Sequence, residues 1–392
     1  MNFCGIVCEF NPFHNGHEHI IFEAKKQTNL DVVCLMSGDF VQRGTPAIES
    51  KFNRAKKAIS AGANAVLELP VLYACSNAEN FAMGAIKIFK ALEINKIAFG
   101  IENTSLEVLQ KVAKLKHENS EKFKTAFKNE IQNGINYNTA LKRSIAETLE
   151  DESILEVLNK PNNILAIEYL TAILKLDAKI EPIAIKRTDN GFNSNNNKGK
   201  FLSASAIREK IENNLPFEEF VPDYAKIIDC FNQSHSKVFD ALNVLTLRQT
   251  SAEKLEKYYD YTEGIEHRIK SIADKFCTLE EIKNNVVTPR YRLARVNKLL
   301  VYPLLNITKE IYEKSNKCKP VVKVLAIEKN NKSLLTNHNK KKITLIASNK
   351  DYDNLTSVQK QIISLDLNAS NIFNTIMKKT NNNDKKIGTM FL

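Results

Sequence analysis

Nothing in the 392-residue chain approaches the run of about 18 consecutive apolar side chains that a membrane-spanning helix needs. The opening stretch MNFCGIVCEFNPFHNGH has no basic segment ahead of its apolar run and no small-residue cleavage site. The expectation is a cytoplasmic protein with neither a membrane span nor a secretion signal. Also missing are a CxxC pair and any Cys/His cluster at zinc spacing. The seven cysteines are an odd number, and Cys4, Cys8, Cys34 and Cys75 sit in apolar runs, which points to a reducing compartment and no structural metal. Glycine and proline are few, at 12 and 10 residues. With 43% hydrophobic and 26% charged side chains, the composition excludes global disorder and leaves room for two domains, each with its own core.

The formal net charge of +11 is unevenly spread. Residues 1–222 carry 27 Lys and Arg against 27 Asp and Glu, whereas residues 223–392 carry 29 against 18. A neutral part joined to a basic part is the footprint of a polyanion-binding region attached to one with another task. A plainer source of the asymmetry is a Lys- and Asn-rich genome that decorates solvated faces.

Up to about residue 215, short apolar runs alternate with amphipathic stretches. The runs 3–10, 31–38, 64–70, 96–102 and 179–187 have strand length, and helical periods fall at 17–27, 51–61, 78–92, 161–176 and a polar pair across 105–150. Continuous apolar strands separated by helices predict a doubly wound α/β domain, a parallel sheet covered on both faces. The polar stretch GFNSNNNKGK (191–200) reads as a mobile loop, a helix begins near Ser203, and Pro216 to Pro222 mark a boundary. Residues 223–392 read as a smaller basic α+β domain, helical to about 317, with strands at 320–329, 334–338 and 342–348; NNNDKK near 381 reads as a solvated turn or frayed tail.

The chemistry concentrates at Glu9-Phe10-Asn11-Pro12-Phe13-His14-Asn15-Gly16-His17, directly after the first strand and at the start of a helix. Ligands of open α/β sheets sit at the carboxyl ends of strands, where a helix N-terminus offers unpaired N–H groups to an anion. His14 and His17 are three residues apart and share a helical face, so both imidazoles are placed to donate to one phosphate group, with Gly16 clearing space for it. Ser203-Ala204-Ser205-Ala206-Ile207-Arg208 offers hydroxyls at a helix start and Arg208 one turn in, a charge-assisted phosphate grip. Taken alone, each is also an ordinary helix cap.

H-x-G-H after the first strand resembles the signature of the nucleotidyltransferase superfamily that includes the class I aminoacyl-tRNA synthetases. The surrounding words narrow the resemblance: GIVCEFNPFHNGH, LMSGDFVQRGTPAI, the K-x-x-R helix from Lys51, GANAVLELPVLYA, FGIE ending at Glu102, PNNILAIEYL, EGIEHRI and TPRYRLARVNKLL are similar to the bacterial tRNA(Met) cytidine acetate ligase family, in order and over most of the chain. That resemblance implies an ATP-dependent ligase that forms acetyl-adenylate and passes acetyl to N4 of the wobble cytidine of elongator tRNA(Met). It implies ATP as substrate with Mg²⁺, and acetate and the tRNA anticodon stem-loop as partners. It implies ATP contacts from Val7, Cys8, Glu9, Phe10, Asn11, Pro12, Phe13, His14, Asn15, Gly16, His17, Glu18, His19 and Ile20, together with Gly100, Asn162 or its neighbour Asn163, and Arg187. His14, His17, Ser205 and Arg208 are the candidate catalytic residues.

In-line attack of a carboxylate on the α-phosphate asks for positioned anions and neutralised charge, so no covalent nucleophile is required. The loop Ser37–Gly44, glycine-flanked at a strand end, is a candidate for the acetyl pocket and for meeting an anticodon base; a structural turn is its other reading. Arg290, Arg292, Arg295 and Lys298 with Tyr291 form a basic run suited to tRNA phosphates, and Lys51, Arg54 and Lys57 form a second basic stripe at helical spacing. Each is alternatively a solvated helix face. Two rival functions share parts of this pattern: a free-standing adenylyltransferase making a coenzyme or dinucleotide, and a noncatalytic tRNA-binding protein.

Overall fold

Five apolar runs of the first half form parallel strands: β1 (Phe3–Cys8), β2 (Asp31–Ser37), β3 (Ala65–Leu69), β4 (Lys96–Ile101) and β5 (Glu181–Lys186). The structure, a computed structural model, describes residues 3–186, 201–226, 233–332, 334–335, 341–380 and 384–392. The strands lie in the order β5-β4-β1-β2-β3. Side chains alternate across a strand, so β2 sends Val32, Cys34 and Met36 to one core and Val33 and Leu35 to the other. The first core is covered by Ile21 and Ala24 of the helix Asn15–Thr28 and by Ala55 and Ala58 of the helix Lys51–Ser60. The second is covered by Phe81, Ala85 and Phe89 of the helix Ala78–Ala91 and by Ala166 and Leu170 of the helix Pro161–Lys175. Helices leaving β1 and β2 thus pack on one face and those leaving β3 and β4 on the other. The order reverses between β1 and β4, and the crevice at such a reversal is where open α/β sheets bind ligands.

The polar stretch 105–150, expected as a pair of helices, folds as three: Leu106–Glu118, Glu121–Gln132 and Tyr137–Leu149. Asn119 and Glu150, at φ +48° and +57°, close the first and the last. The expected smaller α+β part is helical through 317, as read, but its strands do not build a sheet of their own. β6 (Val321–Ile327) pairs antiparallel with β3, β7 (Thr344–Ile346) lies beside β6, and β8 (Met390–Phe391) also pairs β6. One sheet therefore runs across the change in charge at residue 222. Every residue of β6 is buried, including Lys323, because the strand lies between β3 and its own neighbours. The expected strand at 334–338 is not found at Leu334 and Leu335, which are helical, and its remainder lies outside the described residues. In the supposed frayed tail, Asp384 is buried in a 3₁₀ turn, held by Lys51 and Lys323; 381–383 lie outside the described residues, as does the loop 191–200.

Candidate active site

The chain leaves β1 through a turn that carries Phe10 at φ +51° and a cis Asn11–Pro12 peptide. Phe10 and Phe13 are wholly buried, edge to face with ring centroids 4.9 Å apart, and Phe10 meets His17 at the same distance. His14 is the N-cap of the helix Asn15–Thr28, its Nδ1 accepting from the Gly16 N–H at 3.0 Å, while Nδ1 of His17 accepts from the His14 N–H at 3.3 Å. The two rings stack with centroids 3.6 Å apart. A neutral imidazole that accepts at Nδ1 carries its proton on Nε2, which puts the N–H on the far edge of each ring. His14 is buried and His17 half-buried. A Cβ on Gly16 would stand 2.9 Å from Cε1 of His14, so the first requirement for glycine here is room for the capping imidazole rather than for a ligand.

Ser203 caps the helix Ala204–Glu212 by accepting from the Ala206 N–H, with the Ser203 and Ser205 hydroxyls 3.1 Å apart. From one turn in, Arg208 donates through Nη1 to the carbonyl of Asn11 at 2.5 Å. The two motifs, almost 200 residues apart, are therefore in direct contact at the mouth of β1. Burial draws the Arg208 pKa down, and Glu9 opposes that shift while Arg43 adds to it, which places both charges at the same site. The neighbouring segment closes on the helix flank: Asn15 Nδ2 donates to the Glu219 carbonyl, and the Tyr224 hydroxyl donates to Glu18 at 2.7 Å.

On the β4 side of the reversal, half-buried Gly100 lies in register with Ile185. Just beyond it, Glu102 is clasped by both asparagines. Asn163 is wholly buried: its Oδ1 accepts from the Glu102 N–H at 2.8 Å, and its Nδ2 donates to the carbonyls of Glu102 and Val157. Asn162 donates from its backbone and its side chain to the Glu102 carboxylate and is only half-buried. Of the adjacent pair, Asn162 is the one with accessible surface. Arg187 lies outside the described residues.

The basic stripe at 51–57 does not face solvent, which corrects its expected tRNA-binding role. Lys51 has no exposed surface and is bound to Glu68 at 2.7 Å and Asp384 at 2.8 Å, and the three carboxylates Glu68, Asp384 and Asp39 overcome burial to push its pKa up. Lys57 pairs with buried Glu49 at 2.8 Å. Arg54, equally buried, donates through Nε to the Glu49 carbonyl at 3.0 Å, through Nη1 to the carbonyls of Glu9 and Ser37, and through Nη2 to that of Gly38. It binds together the ends of β1 and β2. None of the three is available to a nucleic acid, and helical periodicity gave no sign of it because the partners are distant in sequence or are backbone atoms.

The carbonyls of Ser37 and Gly38 open the loop Ser37–Gly44, which is a tight structure. Gln42 N–H donates to Glu9 Oε1 at 2.8 Å, Val41 N–H to the Thr45 carbonyl, and Cys75 Sγ to the Val41 carbonyl. Only Arg43 at its tip is exposed. Gly44, at φ +75°, backs onto the helix Leu293–Leu305, where a Cβ would lie 3.0 Å from the Asn297 carbonyl. That helix brings the second basic run to the same rim. Lys298 is mostly buried, which lowers its pKa, with Cys75 and Asp260 opposing. Arg295 is paired with Asp260 at 2.9 Å, and Arg290 with Glu263 at 3.2 Å. Arg292 donates to Asn136, on the three-helix insertion. Arg43, not among the residues expected at the site, exerts its charge on Arg208 together with Glu9; its position in the QRG loop was the available signal.

The profile of the HIGH Nucleotidyl Transferase family matches residues 1–387. A tRNA(Met) cytidine acetate ligase of Thermoanaerobacter sp. (strain X514) is 35% identical, over 97% of this chain and 96% of its own length. One from Acetivibrio thermocellus is 34% identical over 95% and 94%. Crystal structures of Thermotoga maritima TmcAL superpose over the full length of both chains at 25% identity, with a TM-score of 0.88 for the apo form and 0.87 for the form bound with alpha-thio ATP.

Proposed function

Because the chain belongs to the tRNA(Met) cytidine acetate ligase family of HIGH nucleotidyl transferases, we propose that it activates acetate with ATP and passes the acetyl group to N4 of the wobble cytidine in the anticodon of elongator tRNA(Met), acting in the cytoplasm. The observation that carries this reading is the contact of Arg208 with Asn11, which joins the H-x-G-H turn to the Ser203–Arg208 helix at the β1/β4 reversal. The free-standing adenylyltransferase and the noncatalytic binder are not favoured, since relatives bearing the ligase name match nearly the whole chain.

In the first step an acetate oxygen attacks the α-phosphorus, the bond to the β-phosphate oxygen breaks, and pyrophosphate leaves. His14 and His17 offer Nε2 donors, and Arg208 offers a partly desolvated guanidinium, to the charge that grows on the phosphates. Ser205 and the helix start at Ser203 hold the leaving end. Gly100 and Asn162 line the nucleotide side. In the second step the cytidine N4 attacks the acetyl carbonyl carbon, the bond to the adenylate oxygen breaks, AMP leaves and the amine sheds one proton. Bringing the base to the anhydride is the task of the Ser37–Gly44 loop, and Arg290, Arg292, Arg295 and Lys298 serve the anticodon stem. Mg²⁺, which the family resemblance implies, would be bound through the triphosphate rather than by a protein cage. Such an ion supplies charge neutralisation of the phosphates.

ATP–pyrophosphate exchange tests the first step. Exchange is expected only with acetate present, and His17→Ala lowers it by about 10²- to 10³-fold, the loss typical of one donor to a developing anion. Exchange that ignores acetate, or a full rate in the variant, contradicts the assignment.

A further inference from the structure

The four arginines and lysines of the run 290–298 are not equivalent. Arg290 and Arg295 have carboxylate partners, and Lys298 is mostly buried beside Asp260. Arg292 is different: it reaches across to the insertion, where its Nη2 donates to Oδ1 of Asn136. Asn136 is the N-cap of the helix Tyr137–Leu149, accepting as well from the Thr139 N–H at 3.1 Å. A guanidinium at a helix N-terminus stands where the peptide dipoles already give positive potential, an unfavourable place for a cation on its own.

A second cation is held close by. Lys142, one turn along that helix, donates to Oδ1 of Asn159 at 2.5 Å. Burial lowers its pKa, and Arg292 lowers it further. Among the described residues neither Lys142 nor Arg292 has an ion pair; each is fixed by a neutral amide that accepts a hydrogen bond and leaves the charge uncompensated. Two like charges brought together in this way repel, and an anion between them removes that repulsion. Tyr137, which follows Asn136 in the chain and packs one edge on Phe127, is 62% exposed, and Leu293, which follows Arg292, is 49% exposed, an aromatic ring and an apolar side chain open to a stacked base or a sugar. The patch is also placed for the reaction. Asn159 lies three residues before Asn162 on the nucleotide side, and Arg292 begins the helix that carries Lys298 to the QRG loop.

We propose that Lys142 and Arg292, with Tyr137 at the start of the helix that carries Lys142, form a clamp for the RNA backbone that spans the insertion and the basic run, gripping a phosphate near the base that enters the site. The clamp rests on the RNA-modifying reading above and assigns the insertion a part in it. A structured RNA fits because it offers a phosphate and an unstacked base together, which the paired cations and the exposed ring require.

The test is tRNA affinity as a function of salt for the full-length protein and for Lys142→Gln, alongside lysine-reactive footprinting of the unaltered protein with and without tRNA. Loss of one phosphate contact should weaken binding by about tenfold at moderate salt and lower the slope of log K against log salt by about one, with Lys142→Arg restoring both. In the footprint, tRNA should shield Lys142. Wild-type affinity and slope in Lys142→Gln, or a Lys142 that tRNA leaves fully reactive, overturns the clamp. The footprint needs no variant, so it decides the matter even where a substitution disturbs folding. Failure of the underlying reading looks different, because the unaltered protein would then acetylate no tRNA.

Discussion

A guanidinium without exposed surface carries a desolvation cost, visible in the lowered pKa of Arg54, and this one offsets it with the backbone carbonyls of Glu9, Ser37, Gly38 and Glu49. Three of those carbonyls belong to segments that shape the site: Glu9 opens the H-x-G-H turn, and Ser37 and Gly38 open the QRG loop. Arg54→Met leaves several buried acceptors unpartnered at about 1–3 kcal/mol each. The variant is expected to lose at least about 3 kcal/mol in urea denaturation, whereas an exposed nucleic-acid contact would lose next to nothing. The sequence displayed Lys51, Arg54 and Lys57 at helical spacing, and spacing alone reads as a basic face. What reverses that reading is long-range: Asp384 lies over 300 residues from Lys51, and backbone acceptors carry no letter. By contrast His14, Gly16 and His17 were legible because the cap they build is local, although the need for Gly16 proved to be the His14 ring.

At the level of elements, the five parallel strands and their covering helices fell close to where the apolar periods placed them, since each is a local pattern of two or 3.6 residues. The QRG loop is where element and function meet. Its rigidity comes from Glu9, Thr45 and Cys75 on one side and the helix Leu293–Leu305 on the other, with Gly44 at the contact. Gly44→Ala meets both a left-handed backbone and a carbonyl 3.0 Å from the new Cβ. The backbone conformation alone costs about 1–2 kcal/mol. The expected outcome is a lower thermal midpoint and a KM for tRNA that rises more than the KM for ATP, because the displaced parts are the loop tip and the basic helix. Equal changes in the two constants would place the loop in nucleotide binding instead.

For the whole molecule, the charge boundary at 222 is not a boundary of the sheet. β6 supplies the antiparallel neighbour of β3, and Asp384 supplies a partner to Lys51, so the N-terminal α/β part borrows both an edge and a buried counter-charge from the C-terminal part. Composition and charge expose such a division of labour, but strand pairing between segments more than 250 residues apart leaves no periodic trace. A fragment ending at 222 is therefore expected to aggregate on expression, with β3 as an open edge and Lys51 short of a partner. A soluble fragment that unfolds cooperatively would show that the first part folds alone.

The most direct test of the account is the fate of isotopically labelled acetate incubated with the protein, Mg²⁺, ATP and bulk bacterial tRNA, followed by digestion of the tRNA to nucleosides. Label is expected in N4-acetylcytidine from elongator tRNA(Met), and only when ATP is present. Label that reaches no nucleoside, with tRNA bound and ATP hydrolysed, would contradict it.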